Sequence, residues 1–440
     1  MEYDAIVVGY GQGAASIVVP LTKEGWKVAL IEKDPLSYGG SCINFGCIPT
    51  KLLDHDARNG VPYADAVARR NRDIEEKRDG QKQAMEENEH VDLYTGKASF
   101  KDNHTIEVAL EDDTLNLTAK HIFIGTGSSP IIPDIEGIED TENIYTSRTL
   151  QTEEKLPKRL GVMGAGNIGL EYASIYASFG SQVDVFDTSE NFLEEEEPEI
   201  AEAMKEALAE KGVTIQPNAR VEKVKNDGDK VIATTDNGKD YTLDALLVAT
   251  GRAPNVGDLN LENTDISLTD KKGIEVDDHL QTAVKGVYAI GDVRGEEMFT
   301  YITLKDAAIT VSDVLGEGDK VLSNRKEVPY TIFVDPPLSR VGFTEAKAKE
   351  ADYDVVTNTI ELADTPRATV INDRRGVFKA VVDKHTDLIL GASLFGPQAH
   401  DLINQVKMAM DNNIPASYLK DQMMTHPTSA EQLNTLFNIE

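Results

Sequence analysis

A glycine-rich turn occurs twice in this chain, each time between a short apolar strand-like segment and a helix-like segment. The small residues of these turns are Gly9, Gly11 and Ala14 in YDAIVVGYGQGAA, and Gly164, Gly166 and Gly169 in RLGVMGAGNIGLEYA. They allow a tight turn and close approach of a ligand, and they leave a helix N-terminus free for a pyrophosphate. The next strand ends in an acid, Glu32 or Asp187, at the same separation from the first glycine. One such motif is weak evidence, but two in register predict two dinucleotide sites in an α/β fold.

The two sites are expected to hold different dinucleotides. Between Asp187 and Met204 the sequence has no lysine or arginine and many glutamates. A 2′-phosphate would meet carboxylates and no cation there, so the second site is predicted to take NADH, with NADPH as the alternative. The first site is followed directly by both cysteines of the chain, and it is therefore the natural site for FAD.

Three further segments have the pattern of a buried strand that ends in a turn. IFIGTGSSP (122–130) and LLVATGRAPN (246–255) are typical of places where a chain crosses between nucleotide domains, and GVYAIGDV (286–293) ends at an acid that could reach a flavin ribityl chain or phosphate. The cofactor contacts predicted here and beside the two motifs are Gly13, Lys33, Gly125, Thr126, Gly127, Asn167, Ile168, Gly251, Arg252, Gly291 and Asp292.

Length and charge limit the other possibilities. A chain of 440 residues should divide into several domains. Its net charge of −32 disfavours nucleic acid and anionic lipid as partners. The acidic run EEEEPE (194–199) is predicted to be a solvated helix entrance. The sequence begins with a strand-like segment and has no membrane-length apolar stretch, so we expect a cytoplasmic protein without a membrane partner.

The only two cysteines, Cys42 and Cys47, lie in GGSCINFGCIPTK (39–51). A structural disulfide, half of a metal site and a redox-active pair are the three interpretations. A permanent disulfide is rare in a reducing cytoplasm, and a zinc site built from these cysteines and His55 lacks a fourth ligand. Residues five apart on a regular helix point about 140° away from each other, so a bridge needs an irregular turn, which Gly46 and Pro49 make plausible. The redox interpretation is favoured, and no metal site is predicted.

The order of these motifs resembles that of the class I pyridine nucleotide–disulfide oxidoreductases, which include glutathione reductase, dihydrolipoyl dehydrogenase and mercuric reductase. The motifs are GYGQGA, GGSCINFGCIPTK, GTGSSP, GAGNIGLE, ATGRAPN, AIGDV and THPTSAE. The resemblance implies an α/β fold with two doubly wound Rossmann-type domains and a C-terminal α+β dimerisation domain. The implied boundaries are 1–149 and 250–325 for the FAD domain, 150–249 for the NAD domain and 326–440 for the interface domain.

The resemblance also implies how the first nucleotide site works. Cys42 is the interchange thiol that attacks the substrate, and Cys47 is the charge-transfer thiol against the flavin. Lys51 lies near the flavin and pairs with Glu171. The flavin contacts implied in the cysteine segment are Gly40, Ser41 and Lys51.

By the same resemblance, His426 and Glu431 supply the acid–base function. A thiol that attacks and leaves needs a proton shuttle with a pKa near neutrality and a carboxylate that orients the imidazole. In the family this pair comes from the partner subunit, which makes the homodimer a catalytic requirement. The other histidines are assigned no function.

The substrate is predicted from a narrower resemblance. FTYITLKDA, VPYTIFVDPPLSRVGFTE, PRATVINDRRGVFKAVVD and HDLINQVKMAMD resemble the bacterial reactive-chlorine-resistance flavoproteins, whose members act on hypothiocyanous acid and have been linked to cupric ion reduction. A small-molecule oxidant of this kind is the predicted substrate. The alternatives are a glutathione-disulfide reductase, a dihydrolipoyl dehydrogenase, a cupric or mercuric ion reductase, and an FAD-binding redox sensor. Asn167, where many relatives have tyrosine, leaves open how NADH access is gated.

Overall fold

Three sheet-based units make up the computed structural model, which describes residues 1–316 and 318–439. The strands are β1 (Glu2–Val8), β2 (Val28–Glu32), β3 (Val91–Thr95), β4 (Lys97–Asp102), β5 (Thr105–Ala109), β6 (Thr114–Ile124), β7 (Ser128–Pro130), β8 (Ile144–Thr146), β9 (Arg159–Met163), β10 (Gln182–Phe186), β11 (Val213–Gln216), β12 (Val221–Asp227), β13 (Lys230–Thr235), β14 (Asp240–Leu243), β15 (Ala245–Val248), β16 (Arg252–Pro254), β17 (Val287–Ala289), β18 (Tyr330–Ile332), β19 (Leu338–Gly342), β20 (Val355–Glu361), β21 (Val377–Asp383) and β22 (Ile389–Phe395). The helices are α1 (Gln12–Lys23), α2 (Gly40–Asn44), α3 (Cys47–Arg58), α4 (Tyr63–Glu86), α5 (Ser147–Leu150), α6 (Asn167–Ser178), α7 (Pro198–Glu210), α8 (Thr300–Val314), α9 (Glu345–Glu350), α10 (Pro366–Ile371), α11 (Ala399–Asp411), α12 (Ala416–Asp421) and α13 (Gln432–Leu436).

The first unit is built on a seven-stranded mixed sheet. Its parallel part has the order β3-β2-β1-β6-β17, and the antiparallel strands β5 and β4 continue from β6. All five residues of β2 are buried, as expected for a strand that is covered on both faces. Helix α1 packs Ile17, Val18 and Leu21 into the core on one face. The carboxyl ends of β1, β6 and β17 meet at one edge, so the turns that follow them share a cleft.

The second unit repeats this plan with an all-parallel sheet in the order β11-β10-β9-β15-β8. Strand β8 ends at Thr146, so this sheet begins before the boundary at residue 150 that we inferred from the resemblance. A strand of three residues has no periodic pattern, and only its pairing with β15 identifies it. The two predicted crossing segments lie side by side, because β7 pairs with β16.

The third unit is an antiparallel sheet in the order β18-β19-β22-β21-β20. Helices α11 and α13 bury Leu402, Val406 and Leu433 against it. In the described ranges, no helix combines the length and the apolar character that a membrane crossing requires. The α/β fold class predicted from the sequence, with two Rossmann-type units and a C-terminal α+β unit, is confirmed.

The acidic run before α7 is not a solvated entrance, so this expectation was wrong for two of its glutamates. Glu196 and Glu197 are buried against the C-terminal unit. The ammonium of buried Lys379 lies 2.9 Å from Glu197, 2.8 Å from Glu199 and 2.8 Å from Glu345. Local sequence cannot show that Lys379, 182 positions from Glu197, pairs with two of these glutamates.

Candidate active site

The first glycine turn has the shape that a dinucleotide requires. Gly9 has a φ of +96°, and a Cβ there would lie 2.5 Å from the carbonyl oxygen of Gly125. A Cβ on Gly11 would meet nothing within 4 Å, so the turn faces open space. Helix α1 begins without a side-chain cap at Gly11, which leaves its first N–H groups available to a phosphate.

Glu32 lies at the end of β2, where a ribose would be bound. Its carboxylate accepts hydrogen bonds from the backbone N–H groups of Tyr10, at 2.8 Å, and Asp34, at 3.0 Å. Burial raises the pKa of this carboxyl group. Each carboxylate oxygen retains acceptor capacity, so Glu32 can also accept a bond from a ribose hydroxyl.

A cavity of about 1390 Å³ runs from this turn past the cysteines to the start of α6. Six of the predicted site residues do not line it, namely Gly164, Gly169, Asp187, Gly291, His426 and Glu431, and all the others do. Gly164 and Gly169 pack the second turn instead, since a Cβ on Gly169 would lie 2.0 Å from the carbonyl oxygen of Gly164. Asp187 lies at the end of β10 and accepts a hydrogen bond from the N–H of Ser189 at 3.0 Å.

The two cysteines lie on either side of a break between two helices. Cys42 belongs to α2 and Cys47 begins α3, with Phe45 and Gly46 forming the turn between them. Both thiols are unbonded and half-buried, and both line the cavity. Among the residues that the structure describes, no group of three His, Cys, Asp or Glu side chains could hold a metal ion.

The two thiols differ in acidity. The hydrogen bond with Cys42, the Thr300 hydroxyl 3.3 Å away and the charge of Lys51 together lower the pKa of Cys47 to about 6. The hydrogen bond with Cys47, burial and the charge of Cys47 raise the pKa of Cys42. At neutral pH the reduced pair therefore carries its negative charge on Cys47, at the N-terminus of α3.

Lys51 forms the ion pair that the resemblance implied. Its ammonium lies 2.7 Å from Glu171 Oε2 and 4.2 Å from the centroid of the Phe333 ring. The other oxygen of Glu171 accepts the N–H of Phe333 at 3.0 Å. Segments from all three units thus fix the Lys51 charge beside the thiols.

His426 and Glu431 also form a pair, but on the surface of their own subunit. Nδ1 of His426 lies 2.7 Å from Glu431 Oε2. The His426 side chain is 66% exposed, whereas that of Glu431 is 18% exposed. The carboxylate therefore orients an exposed imidazole that does not line the cavity of its own chain.

Sequence reasoning missed several residues of the cavity. Thr300 contacts Cys47, and Arg148 places its guanidinium 4.0 Å from the centroid of the Phe45 ring. Ser128 donates to Asp292 at 2.5 Å and accepts from Arg252 at 2.8 Å. His400, which was assigned no function, lines the cavity with its ring 5.7 Å from Phe333. Spacing gives no signal for Thr300, Arg148 or His400, because each comes from a separate segment. Ser128 lies in the predicted segment IFIGTGSSP (122–130) but was not singled out.

Residues of two Rossmann-type units and a pair of cysteines line one cavity, and this arrangement is typical of one class of oxidoreductase. The chain belongs to the pyridine nucleotide-disulphide oxidoreductase family, whose description matches residues 3–309, and the dimerisation domain of that family matches residues 328–437. The predicted enzyme class is confirmed. The family implies FAD and NAD(P)H as cofactors, and the dimerisation domain points to a homodimer.

Particular relatives narrow this assignment. The chain is 41% identical over 438 residues to the probable pyridine nucleotide-disulfide oxidoreductase RclA of Escherichia coli (strain K12), covering 100% of this chain and 99% of RclA. It is 33% identical to mercuric reductase of Lysinibacillus sphaericus, covering 98% and 81%. It is 30% identical to dihydrolipoyl dehydrogenase of Geobacillus stearothermophilus, covering 98% and 94%.

Solved structures give the same result. The HOCl-induced flavoprotein disulfide reductase RclA from Escherichia coli matches with a TM-score of 0.95 at 41% identity over 99% of each chain. Its Cu(II) complex matches with a TM-score of 0.97 at 40% identity, again over 99% of each chain. The predicted resemblance to the disulfide oxidoreductases and their reactive-chlorine-resistance members is confirmed.

Proposed function

We propose that this protein passes electrons from NADH to hypothiocyanous acid through a redox-active pair formed by Cys42 and Cys47. The proposal rests on one observation: a dinucleotide cleft, both thiols and the start of the second nucleotide-binding helix line the same cavity. A structural disulfide would need no such cavity. A redox sensor would need neither the Lys51–Glu171 pair nor an exposed histidine oriented by a carboxylate.

The residues of the first cleft fit FAD. The uncapped start of α1 and the open face of Gly11 would receive the pyrophosphate, and Glu32 would accept a ribose hydroxyl. Asp292, held by Ser128, would contact the ribityl chain or phosphate. When bound, the flavin supplies the relay that carries two electrons from the nicotinamide to the cysteine pair.

NADH is proposed for the second cleft. Helix α6 also begins without a side-chain cap, at Gly166. Asp187 follows β10 directly, and its carboxylate would accept hydrogen bonds from ribose hydroxyls. No lysine or arginine occurs between Asp187 and Met204. A 2′-phosphate would therefore be repelled on this segment.

The first chemical step is attack of Cys42 on the sulfur of hypothiocyanous acid. Cys42 is the protonated member of the reduced pair, so its proton must be removed as it attacks. His426 of the partner subunit accepts that proton and returns it to the departing hydroxide, which leaves as water. The new bond joins the Cys42 sulfur to the sulfur of the thiocyanate group.

The second step closes the disulfide. The Cys47 thiolate attacks the Cys42 sulfur and displaces thiocyanate, so both sulfurs are oxidised and the oxidant is reduced. One hydride equivalent from NADH, which supplies two electrons, reopens the disulfide. In sum, hypothiocyanous acid and NADH give thiocyanate, NAD⁺ and water, which balances atoms and charge.

The charges of the cavity favour a small neutral substrate. Every lysine or arginine that lines it within the described residues is already engaged by an acid or by Ser128: Lys33 and Lys97 bind Asp258, Lys51 binds Glu171, Arg148 binds Asp34 and Arg252 binds Ser128. Among the described residues, no cation that lines the cavity is free to orient the carboxylates of glutathione disulfide. The relative RclA is described as HOCl-induced, which supports a small electrophilic oxidant as the substrate.

A panel of oxidants tests this proposal. Turnover of NADH by the FAD-loaded homodimer is measured with hypothiocyanous acid, glutathione disulfide, lipoamide and Cu(II) under matched conditions. We expect kcat/KM for hypothiocyanous acid to exceed that for glutathione disulfide and lipoamide by a wide margin. A faster reaction with either disulfide contradicts the substrate but leaves the flavin–disulfide chemistry intact.

Reduction of Cu(II) is a second candidate, because the structural relative RclA was solved as a Cu(II) complex. The Cys42→Ser variant separates the candidates. If copper is reduced without thiol–disulfide chemistry, Cu(II)-dependent NADH oxidation survives in this variant while turnover of hypothiocyanous acid is lost. Loss of both activities means that they share the Cys42–Cys47 pair.

A further inference from the structure

A second cavity lies at the junction between the first unit and the C-terminal unit. Its volume is about 410 Å³, and its walls come from the loop before α8, the chain that leads into β18, and strand β19. Phe299 and Tyr330 line this cavity and the main cavity alike, so the two cavities adjoin. None of the site residues predicted from the sequence lines the second cavity, which is therefore a compartment beside the thiol site.

The residues that line this cavity carry more positive than negative charge, in a chain whose net charge is −32. The cations are Arg325, Lys326 and Arg340, and the acids are Glu297 and Glu327. Both glutamates are exposed, whereas the side chain of Arg325 is 18% exposed and that of Arg340 is 13% exposed. Water screens the exposed acids more than the largely buried guanidinium groups. The inner part of the cavity is therefore positive.

Arg325 shares its counter-ion with another arginine. The buried carboxylate of Asp306 lies 2.9 Å from Nη1 of Arg294 and also pairs with Nη2 of Arg325. No other carboxylate in the described part of the chain forms an ion pair with either arginine. One negative charge thus faces two positive charges, so one positive charge of this group has no counter-ion.

Arg340 is also incompletely compensated. Among the described residues, the only carboxylate within 4.0 Å of its guanidinium is that of Glu196, 3.5 Å from Nε. Burial raises the pKa of Glu196 to about 7, so this acid carries only part of a negative charge at neutral pH. The Glu196 oxygen that faces Arg340 is buried and has no hydrogen-bond partner.

The lining also offers hydrogen-bond donors that have no acceptor. Nε of Arg340 donates to the hydroxyl oxygen of Tyr330 at 3.2 Å, and no described residue accepts a hydrogen bond from that hydroxyl. Lys326 is exposed and forms no ion pair with a described residue. Guanidinium, ammonium and hydroxyl groups are the donors that bind carboxylate and phosphate oxygens.

We propose that this cavity binds a small oxyanion, meaning a phosphate or carboxylate group, through Arg325, Lys326, Arg340 and the hydroxyl of Tyr330. The volume of about 410 Å³ lies toward the lower end of the range for small-molecule sites, which suits a compact organic acid or phosphate ester. Arg325 is tied to α8 through Asp306, and Arg340 lies on β19. The anion therefore bridges the first unit and the C-terminal unit. The proposal does not depend on the thiol chemistry, so it stands or fails separately from the proposed function.

Calorimetric titration at constant ionic strength tests the proposal, with inorganic phosphate and acetate as the two probes. The FAD-loaded homodimer is used with saturating NAD⁺, so that the helix N-termini proposed to bind pyrophosphates are already occupied. The variants are Arg325→Gln, Lys326→Met and Tyr330→Phe. Lys320→Met is the matched control, because it removes the same charge from an exposed position of the same connecting segment that does not line the cavity.

We expect Arg325→Gln and Tyr330→Phe each to weaken anion binding by about tenfold, the effect of losing a hydrogen bond to a charged group. Lys326→Met should weaken it by about threefold, since an exposed charge is screened, and Lys320→Met should leave it unchanged. The probe that binds more tightly identifies the oxyanion group. If Arg325→Gln does not fold, Tyr330→Phe and Lys326→Met provide the same comparison.

Three results would overturn the proposal. The first is that neither anion binds the unsubstituted protein, and the second is that binding is equal in all the variants. The third is equal weakening in Lys320→Met and Lys326→Met, which would mean that only the general charge of the segment matters. None of these readouts uses turnover of hypothiocyanous acid, so failure of that activity leaves the test intact.

Discussion

The two cysteines are chemically unequal, although they are equally half-buried. Cys47 is held as a thiolate by the neighbouring Cys42, by Thr300 and by Lys51, whereas the pKa of Cys42 is raised by that thiolate and by burial. The Cys47 thiolate is the better electron donor to an adjacent flavin, whereas Cys42 must give up its proton to a base as it attacks the oxidant. The difference therefore assigns separate parts of the reaction to each sulfur.

Serine variants of the two cysteines test this assignment. Cys42→Ser leaves Cys47 as a thiolate, so the FAD-loaded protein should show a long-wavelength charge-transfer band. Cys47→Ser should show no such band, and both variants should lose turnover of the oxidant. The visible spectrum of each purified variant is sufficient, and identical spectra would contradict the assignment.

The Cys47 thiolate should also disappear in acid. Because its pKa is about 6, the thiol is charged above that pH and protonated below it. Cys42 makes the largest contribution to this low pKa, and in Cys42→Ser a serine hydroxyl takes the place of the thiol, so the charge-transfer band of this variant should fade as the pH falls. Adding Lys51→Met removes a positive charge, so the fading should move to higher pH.

Lys97→Met is the control for this titration. Lys97 also lines the cavity, but it is paired with Asp258 at 2.9 Å and is not among the causes of the Cys47 shift. When Lys97→Met is added to Cys42→Ser, the pH midpoint of the charge-transfer band should match that of Cys42→Ser alone. A band that persists undiminished well below pH 6 would mean that stronger donors hold the thiolate.

At the scale of elements, the two β-turn-α motifs have the same backbone but different surroundings. The first opens into the large cavity, whereas the second begins α6 and is followed by the acidic segment that Lys379 anchors to the C-terminal sheet. Asp187 lies seven positions before Glu194, the first residue of this segment. The loop that would receive the adenosine ribose of NADH is thus fixed by both its own unit and the interface unit.

NADH should be preferred over NADPH because of this loop. We expect kcat/KM for NADH to be at least about tenfold higher, a difference of roughly 1.4 kcal/mol. Asp187→Ala should reduce the preference for NADH, because the ribose of NADH then loses a hydrogen-bond acceptor and the 2′-phosphate of NADPH is no longer repelled by this carboxylate. Glu202→Ala, which removes an exposed acid on α7, should leave it unchanged. Equal efficiencies with both dinucleotides would mean that a cation outside residues 187–204 reaches the 2′-phosphate.

At the scale of the whole molecule, the proposed role of His426 requires a second subunit. Its imidazole is oriented by Glu431 but does not line the cavity of its own chain. Cys42 needs a proton acceptor in the cavity, and His426 is exposed on the surface. In a two-fold dimer, the histidine of each subunit could serve the cavity of the other.

Mixed dimers test this arrangement. Cys42→Ser and His426→Ala homodimers should each be nearly inactive. Co-expression should restore activity, because one site of the hybrid then combines an intact cysteine pair with an intact histidine. Hybrids of Cys42→Ser with Cys47→Ser are the matched control and should stay inactive, since both cysteines of a site come from one chain. Verified hybrids without restored activity would place His426 in its own subunit.

Much of this site is encoded in short segments. Gly9 and Gly164 require positive φ values and close contact with a neighbouring carbonyl, which only glycine tolerates, so the two turns are visible in the sequence. The cysteine spacing and the break at Gly46 are equally local. The sequence therefore predicts both nucleotide folds and the redox pair, since each depends on backbone conformation within about a dozen residues.

The tertiary structure alone decided how these segments act on one another. Thr300 reaches Cys47 across 253 positions, Phe333 reaches Glu171 across 162 positions, and Arg70 reaches Asn44 across 26 positions. The burial of Glu197 by Lys379, 182 positions away, reversed the prediction of a solvated acidic run. Periodicity and motif spacing describe one segment at a time, whereas charge balance and pKa depend on which distant side chains the packed units bring within a few ångströms.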